Sequence, residues 1–176
     1  GKRVLPYLDE PVSHLYKFLP DCSRVCTRID RLKQFVAEYG PDVAVIALDC
    51  GEADRLGDHK NELLKIRPFI VIDHHLSHRN YGDVRWVDAD RSSTGEMVYE
   101  LCEALGQVPT YNCAFDLYVA ISTDTGSFRY ECTGARTFEI AGKLIGYGVQ
   151  PEKVASYVYD NFSIDRLKLQ GLLCGT

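Results

Sequence analysis

The chain has 176 residues and a formal net charge of −5, with 20 Lys and Arg against 25 Asp and Glu. Its length suits one compact domain, and 45% apolar with 26% charged residues is typical of a globular protein. No apolar run approaches the roughly 20 residues that span a bilayer, so we expect no membrane partner. The acidic balance argues against a protein that coats long duplex DNA, although a local site can still bind a small phosphorylated ligand.

Seven cysteines are scattered along the chain without the paired spacing of a metal site or a disulfide framework. Most of them stand in apolar stretches, which indicates reduced, buried thiols and a cytoplasmic protein. The histidines are less evenly spread, because four of the five lie between His59 and His78.

The first half of the chain predicts a parallel α/β fold. Residues 1–7 run into a predicted strand, and a helix is predicted over 28–39, where Gly40 and Pro41 end it. Unbroken apolar runs over 43–48 and 69–72 predict strands covered on both faces, as in a parallel sheet. A shorter strand is predicted over 84–87. Each strand ends on an aspartate, at the edge where open parallel sheets bind ligands.

The second half is predicted to be helical. A capping box of Ser93 and Glu96 opens a helix over 93–105, and residues 113–121 form a buried helix that breaks at 122–126. Further helices are predicted over 133–145, 151–159 and 163–173. The whole pattern indicates one α/β domain whose parallel sheet is flanked by helices.

Asp73, His74 and His75 stand together at the end of the second apolar strand. Adjacent side chains of an extended chain point to opposite sides, so we expect one histidine to bind a metal ion and the other to face a substrate. Asp73 can then hold an imidazole by a hydrogen bond and fix which ring nitrogen is free. The competing interpretation is an ordinary polar turn after a strand.

Asp49 and Asp124 are the other candidate metal ligands. Asp49 ends the neighbouring strand and would lie beside His74, and Asp124 follows a buried helix, where an unpaired charge is costly. Carboxylate oxygen together with imidazole suits Mn²⁺, Zn²⁺ or Fe²⁺ better than Ca²⁺. The alternatives are a turn that begins at Asp49 and a cap formed by Asp124 on the turn that follows it.

Anion-binding candidates lie in the second half of the chain. Arg129 has a fork-shaped guanidinium that can hold a phosphate, and the helix start at Ser93 and Thr94 offers backbone N–H groups, although capping explains Ser93 equally well. His59 and His78 are interpreted as surface residues. A structural zinc site that combines Cys50 with the clustered histidines is disfavoured, because paired cysteines are missing.

Taken together, these residues resemble the DHH phosphoesterase family, in its nanoRNase and phosphoadenosine-phosphate (pAp) phosphatase branch. The matching stretches cover nearly the whole chain: Val-Ile-Ala-Leu-Asp49-Cys-Gly, Val-Ile-Asp73-His74-His75, Asn80-Tyr-Gly-Asp83, Trp86-Val-Asp88, Ser92-Ser93-Thr94-Gly-Glu96-Met-Val-Tyr and Ser122-Thr-Asp124-Thr-Gly126-Ser-Phe-Arg129-Tyr. The resemblance implies a Rossmann-like N-terminal DHH domain that binds two Mn²⁺ ions.

The resemblance also implies a role for each site residue. Asp49 would bridge the ions, His74 and Asp124 would bind one of them, His75 would face the scissile phosphate, and Arg129 would contact the substrate. Asp73, His75 and Arg129 are the expected catalytic residues. The implied reaction is hydrolysis of short oligonucleotides or nucleotide bisphosphates by metal-activated water. A homodimer is compatible with the resemblance.

Other functions remain open at this point. They are a cyclic-dinucleotide phosphodiesterase, a family II inorganic pyrophosphatase and a regulatory module that binds nucleotides without hydrolysing them. A processive exonuclease of the RecJ kind is less favoured, because the chain lacks a basic, aromatic-lined track for a long strand.

The sequence departs from the family pattern at both ends. Family members carry an Asp-x-Asp motif on a first strand ahead of the Gly-Lys-x-Val stretch, which here begins at Gly1, and a Gly-Gly-His motif in a C-terminal domain. The first-strand motif and the Gly-Gly-His motif are both missing from these 176 residues, in which Asp-x-Asp occurs only at residues 88–90, after a later strand. We therefore expect residues 1–176 to be a DHH domain without its first strand and without the C-terminal substrate domain. Such a fragment should expose a sheet edge, bind metal weakly and hydrolyse little.

Overall fold

A computed structural model of the chain describes residues 2–77, 79–159, 168 and 171–174. His78 and most of the helix predicted over 163–173 lie outside these residues, although residues 168 and 171–174 are helical. The strands are β1 (Val45–Leu48), β2 (Phe69–Asp73) and β3 (Val84–Val87). The α-helices are α1 (Ile29–Tyr39), α2 (Lys60–Leu63), α3 (Thr94–Ala104), α4 (Tyr111–Asp124), α5 (Ala135–Gly146) and α6 (Pro151–Tyr159).

The described strands form a parallel sheet in the order β1, β2, β3, which confirms the predicted α/β fold. Leu48 pairs with Ile72, and the backbone N–H of Asp49 donates to the carbonyl of Ile72 at 3.0 Å. This register places the residues that follow β1 directly beside those that follow β2. The carboxyl ends of both strands therefore meet at one edge of the sheet.

The core has two parts. Beneath the sheet, Phe69 and Val71 of the central strand β2 are completely buried and pack with Leu32 of α1. The second part lies among α3, α4 and α5, where Ile121, Ile140 and other apolar side chains form a helical cluster. The largely apolar character of residues 113–121 in α4 follows from this position, since α3 and α5 both pack against the helix.

Several predicted boundaries differ from the structure. The predicted strand over residues 1–7 is reduced to one bridge between Tyr7 and Cys26, because a strand forms only where a neighbour supplies continuous hydrogen bonds. Helix α4 continues to Asp124 instead of stopping at Ile121. Asp124 is thus the last helical residue. The short helix α2 was not predicted.

Strand β1 lies at one edge of the described sheet, and two apolar side chains on one face of this strand are exposed. Ile46 is 56% exposed and Leu48 is 47% exposed.

Within the described part of the chain, no helix has the length and apolarity needed to cross a membrane.

Candidate metal site at the carboxyl edge of the sheet

Asp49, whose carboxylate lies at the site, has an uncommon backbone conformation. Its φ is +60°, in the left-handed region, where a residue other than glycine costs of the order of 1 kcal/mol. The turn lifts its carboxylate away from the strand, and the Thr94 hydroxyl donates to Asp49 Oδ1 at 2.8 Å. A strained polar residue with a dedicated hydrogen-bond donor is typical of a functional position.

The histidine that follows β2 most closely, His74, is oriented by a backbone carbonyl. Its Nδ1 lies 3.3 Å from the carbonyl oxygen of Arg91, which can only accept, so Nδ1 carries the proton. Nε2 of His74 then presents its lone pair 3.5 Å from Asp49 Oδ1 and 3.7 Å from Asp124 Oδ2. This is the arrangement of a metal-ligating imidazole whose second nitrogen is held by an outer partner.

His75 is held by Asp73. The Nδ1 atom of His75 donates to Asp73 Oδ1 at 2.7 Å, and the Asp73 carboxylate is completely buried. The hydrogen bond expected from the sequence therefore exists, and the imidazole that it holds is that of His75. Because Nδ1 is bound to Asp73, Nε2 is the ring nitrogen of His75 that can contact other groups.

The expectation that the two histidines diverge is wrong. One ligand atom each from Asp49, His74 and His75 lie within 4.8 Å of one another. Strand β2 ends at Asp73, so strand pairing no longer forces the side chains of the two histidines to opposite faces.

Asp124 reaches the same edge from the last turn of α4. Burial raises the pKa of its carboxyl to about 6, the negative charge of Asp49 adds to the rise, and His74 and His75 oppose it. Carboxylates that repel each other at a half-buried site are stabilised by a bound cation.

The spacing of these atoms fits a divalent ion. Ligands held about 2.1 Å from one ion stand about 3 to 4 Å from each other. The 3.5 Å and 3.7 Å separations from His74 Nε2 to the two carboxylates lie in that range. Asp49, His74 and Asp124 would thus hold one ion, with both carboxylates near His74 Nε2. Asp124 is not part of the group whose ligand atoms all lie within 4.8 Å of one another, and the third member of that group is His75, whose Nδ1 lies 3.8 Å from Asp49 Oδ1.

Ser93 and Thr94, the predicted phosphate-binding residues, lie beside the site with their hydroxyls already engaged. The Ser93 hydroxyl is buried and accepts from the N–H of Glu96, so the predicted helix cap is present. Thr94 donates to Asp49. A role for Ser93 and Thr94 in substrate binding stays a prediction. Because their hydroxyls are engaged, the groups that would bind a phosphate are the backbone N–H groups at the start of α3.

Arg129 lies in an exposed turn after α4. Ser127 and Phe128 both have positive φ, and the Nε atom of Arg129 donates to the carbonyl of Gly126 at 2.6 Å. This bond fixes the stem of the side chain. A contact between its guanidinium and a substrate stays a prediction.

His59 is partly exposed, and its ring has partners that the sequence did not predict. Its ring Nδ1 lies 2.7 Å from Asp9 Oδ1 and 3.4 Å from the Tyr7 hydroxyl, so it joins the N-terminal segment to α2. This partner stands 50 residues away and has no local signature. His59 does not belong to the metal-ligand group found among the described residues, and neither does Cys50, whose thiol pKa is raised by burial.

An α/β sheet with an Asp and His cluster at its carboxyl edge defines the class of protein. The family model described as "DHH family, N-terminal domain" matches residues 4–121, which is more than half of the chain. The chain belongs to the DHH family.

Two curated relatives are similar over most of this chain. The bifunctional oligoribonuclease and PAP phosphatase NrnA of Thermus thermophilus is 29% identical over 151 residues, covering 85% of this chain and 42% of that protein. The protein of the same name from Bacillus subtilis is 32% identical over 136 residues, covering 73% and 41%. The chain spans about two fifths of the length of these relatives.

A solved structure shares the fold. The crystal structure of an exopolyphosphatase-related protein from Bacteroides fragilis matches 97% of this chain and 51% of that chain, with a TM-score of 0.86 and 22% sequence identity. The described sheet and helices therefore have a fold that is already known from experiment.

Proposed function

We propose that this chain forms the metal-binding domain of a phosphoesterase that hydrolyses short oligonucleotides or nucleotide bisphosphates in the cytoplasm. The observation that carries the proposal is the convergence of Asp49, His74 and Asp124 at the carboxyl edge of the sheet. The names of the relatives, oligoribonuclease and PAP phosphatase, support the substrate class. Mn²⁺ is the proposed ion because the resemblance to the DHH family implies it, and the oxygen and imidazole ligands suit Mn²⁺, Zn²⁺ or Fe²⁺ alike.

The ligand roles combine one distance with the family resemblance. Asp49 Oδ1 lies 3.5 Å from His74 Nε2, so the two residues would share an ion, and the bridging position proposed for Asp49 is carried over from the resemblance to the DHH family. His74 and Asp124 complete the ligands of one ion. Divalent ions supply Lewis-acid stabilisation of the phosphate charge and activate water for attack on phosphorus.

His75 and Arg129 are assigned to the substrate. With Nδ1 of His75 bound to Asp73, Nε2 is the atom available to donate to a phosphate oxygen when the ring is protonated. The Nε atom of Arg129 is bound to Gly126, so its terminal nitrogens are the ones proposed to contact a phosphate. Hydrolysis adds water across one P–O bond and leaves the proton on the departing oxygen.

The metal site is tested by titrating the wild type, His74→Asn and Asp124→Asn with Mn²⁺. Calorimetry or electron paramagnetic resonance measures the affinity. His14→Asn is a matched control, since His14 is exposed in a 3₁₀ turn of residues His14–Tyr16. We expect Mn²⁺ affinity to fall by about 100-fold or more in the two site variants and to stay unchanged in the control. Unchanged affinity in both site variants would contradict the proposal.

The substrate class is tested with Mn²⁺ and four compounds: a short RNA, a nucleotide 3′,5′-bisphosphate, a cyclic dinucleotide and pyrophosphate. We expect slow formation of product from the first two, since the chain lacks the first-strand motif and the C-terminal domain, and loss of that product in His74→Asn or with a chelator. Release of phosphate from pyrophosphate alone would favour a pyrophosphatase. Nucleotide binding without any product would favour a non-catalytic module.

A further inference from the structure

Glu96 is a buried carboxylate that lies close to the proposed site without touching it. Its side chain belongs to the first turn of α3 and is only 2% exposed. The capping box predicted from the sequence uses the backbone N–H of Glu96, which donates to Ser93 Oγ at 3.0 Å. The carboxylate itself has other partners, and they connect the site to α5.

Two hydroxyls converge on one oxygen of Glu96. The Ser92 hydroxyl donates to Glu96 Oε2 from the segment that precedes α3, and the Thr137 hydroxyl donates to the same oxygen at 2.9 Å from the first turn of α5. Ser92 and Thr137 are each 1% exposed. Water cannot replace these partners easily, so Glu96 fixes the segment of Ser92 against the helical part of the core.

The segment that Glu96 fixes is the one that orients His74. Ser92 directly follows Arg91, whose carbonyl oxygen is the partner of His74 Nδ1 at 3.3 Å. A shift of this carbonyl would remove the hydrogen-bond acceptor of the Nδ1 proton. The imidazole of His74 would then be free to turn or to change tautomer. Nε2 would then lose its fixed direction toward Asp49 and Asp124.

We propose that Glu96 is a positioning residue, which acts through Ser92 and the Arg91 carbonyl to hold His74 with Nε2 directed at the metal ligands. The inference rests on the proposed metal site for its purpose, although the tautomer of His74 is a property of the metal-free protein. Thr137 anchors the chain of contacts in α5, 41 residues away.

The first test reads the tautomer of His74 by nitrogen NMR of the metal-free chain at a pH where the imidazole is neutral. The variants are Ser92→Ala, Glu96→Leu and Glu96→Gln, and the amide oxygen of Gln can still accept from both hydroxyls. Val154→Ala is the control, because it removes core volume in α6 without touching this chain of contacts. We expect wild type, Glu96→Gln and Val154→Ala to keep the proton on Nδ1, and Ser92→Ala and Glu96→Leu to lose that preference.

The second test measures Mn²⁺ affinity of the same variants. We expect a loss of 10- to 100-fold in Ser92→Ala and Glu96→Leu, and near wild-type affinity in Glu96→Gln and Val154→Ala. A His74 that keeps its tautomer in Ser92→Ala overturns the inference, as does an equal shift in Val154→Ala. If the wild type binds no Mn²⁺, the proposed function fails, while the tautomer experiment still decides the role of Glu96.

Discussion

Thr94 shows how a single side chain can support a strained neighbour. Asp49 holds a left-handed conformation at the end of β1, and the hydroxyl of Thr94 reaches its carboxylate across the sheet edge at 2.8 Å. The contact orients one oxygen of Asp49 and leaves the remaining lone pairs for a cation. Thr94 is therefore expected to affect metal binding more than folding.

Replacing Thr94 with Val keeps the side-chain shape and removes the donor. We expect Mn²⁺ affinity to fall about 10-fold, because outer partners of a metal ligand fix its orientation. Thr94→Ser is the matched control, since it keeps the hydroxyl. Equal affinity in Thr94→Val and Thr94→Ser, measured by calorimetry, would show that the contact has no such role.

Asp9 is expected to contribute to the stability of the folded chain, at a distance from the candidate metal site. Burial acts to raise the pKa of its carboxyl, but hydrogen bonds from Tyr7 and from the side chain and backbone of His59 outweigh burial and lower the pKa from 3.8 to about 2. A carboxyl whose pKa is lower in the folded state stabilises the protein above its unfolded pKa. That contribution is lost as the pH falls from about 4 to about 2.

Asp9→Asn is expected to lower the free energy of unfolding by about 1 to 2 kcal/mol at pH 7, because hydrogen bonds to the charged carboxylate are lost. The difference between wild type and variant should shrink as the pH is lowered from 4 toward 2. Urea unfolding at pH 7, 4 and 3 measures this. A difference that stays constant with pH would contradict the lowered pKa.

At the scale of elements, the approach of α3 to α4 depends on Gly95. A Cβ atom built on Gly95 would lie 2.9 Å from the Cβ of Ala120 in α4, closer than atoms can pack. The absence of a side chain therefore brings the start of α3, with Ser93 and Thr94, close to the helix that carries Asp124. The packing of two helices thus sets the position of ligands from two different elements.

Gly95→Ala tests this contact against Gly142→Ala, its matched control in α5, where a Cβ meets nothing within 4 Å. Alanine favours a helix interior, so Gly142→Ala should raise the free energy of unfolding by about 0.5 to 1 kcal/mol. Gly95→Ala should lower it by about 1 to 3 kcal/mol, because α3 and α4 have to separate. Thermal or urea unfolding compares them, and stabilisation by both would refute the close contact.

At the scale of the whole molecule, the described sheet has an apolar edge. Ile46 and Leu48 of β1 are about half exposed, and the free backbone groups of an edge strand can pair with another chain. The carboxyl end of this strand carries Asp49, so whatever covers the edge also lies next to the proposed metal site.

Ile46→Lys is expected to reduce self-association of the 176-residue chain, because a charge at a sheet edge opposes pairing with a second strand. Leu105→Lys is the control, since Leu105 is 64% exposed at the end of α3 and away from the sheet. Sedimentation velocity over a range of concentrations measures the effect. Equal self-association in both variants would show that the edge is not responsible.

The sequence by itself determined the type of sheet and the identity of most candidate ligands. Unbroken apolar runs identify buried parallel strands, and the polar residues Asp49, Asp73 and His74 follow them directly, so local periodicity is sufficient. The helix over 151–159 and the strand over 84–87 were predicted at their observed bounds. The match of residues 4–121 to the DHH family confirms the resemblance that these motifs indicated.

Only the tertiary structure decided how the ligands are held. The partners of Asp49, Glu96 and His59 come from Thr94, Thr137 and Asp9, which are 41 to 50 residues away along the chain. Periodicity reports which face of an element is buried, and it carries no information about which distant polar groups meet there. The direction of His74 Nε2 depends on the hydrogen bond between Nδ1 and the carbonyl of Arg91. Since every residue has a carbonyl, the sequence does not indicate which one His74 contacts. The packing of α3 against α4 and α5 brings the carbonyl of Arg91 to that position.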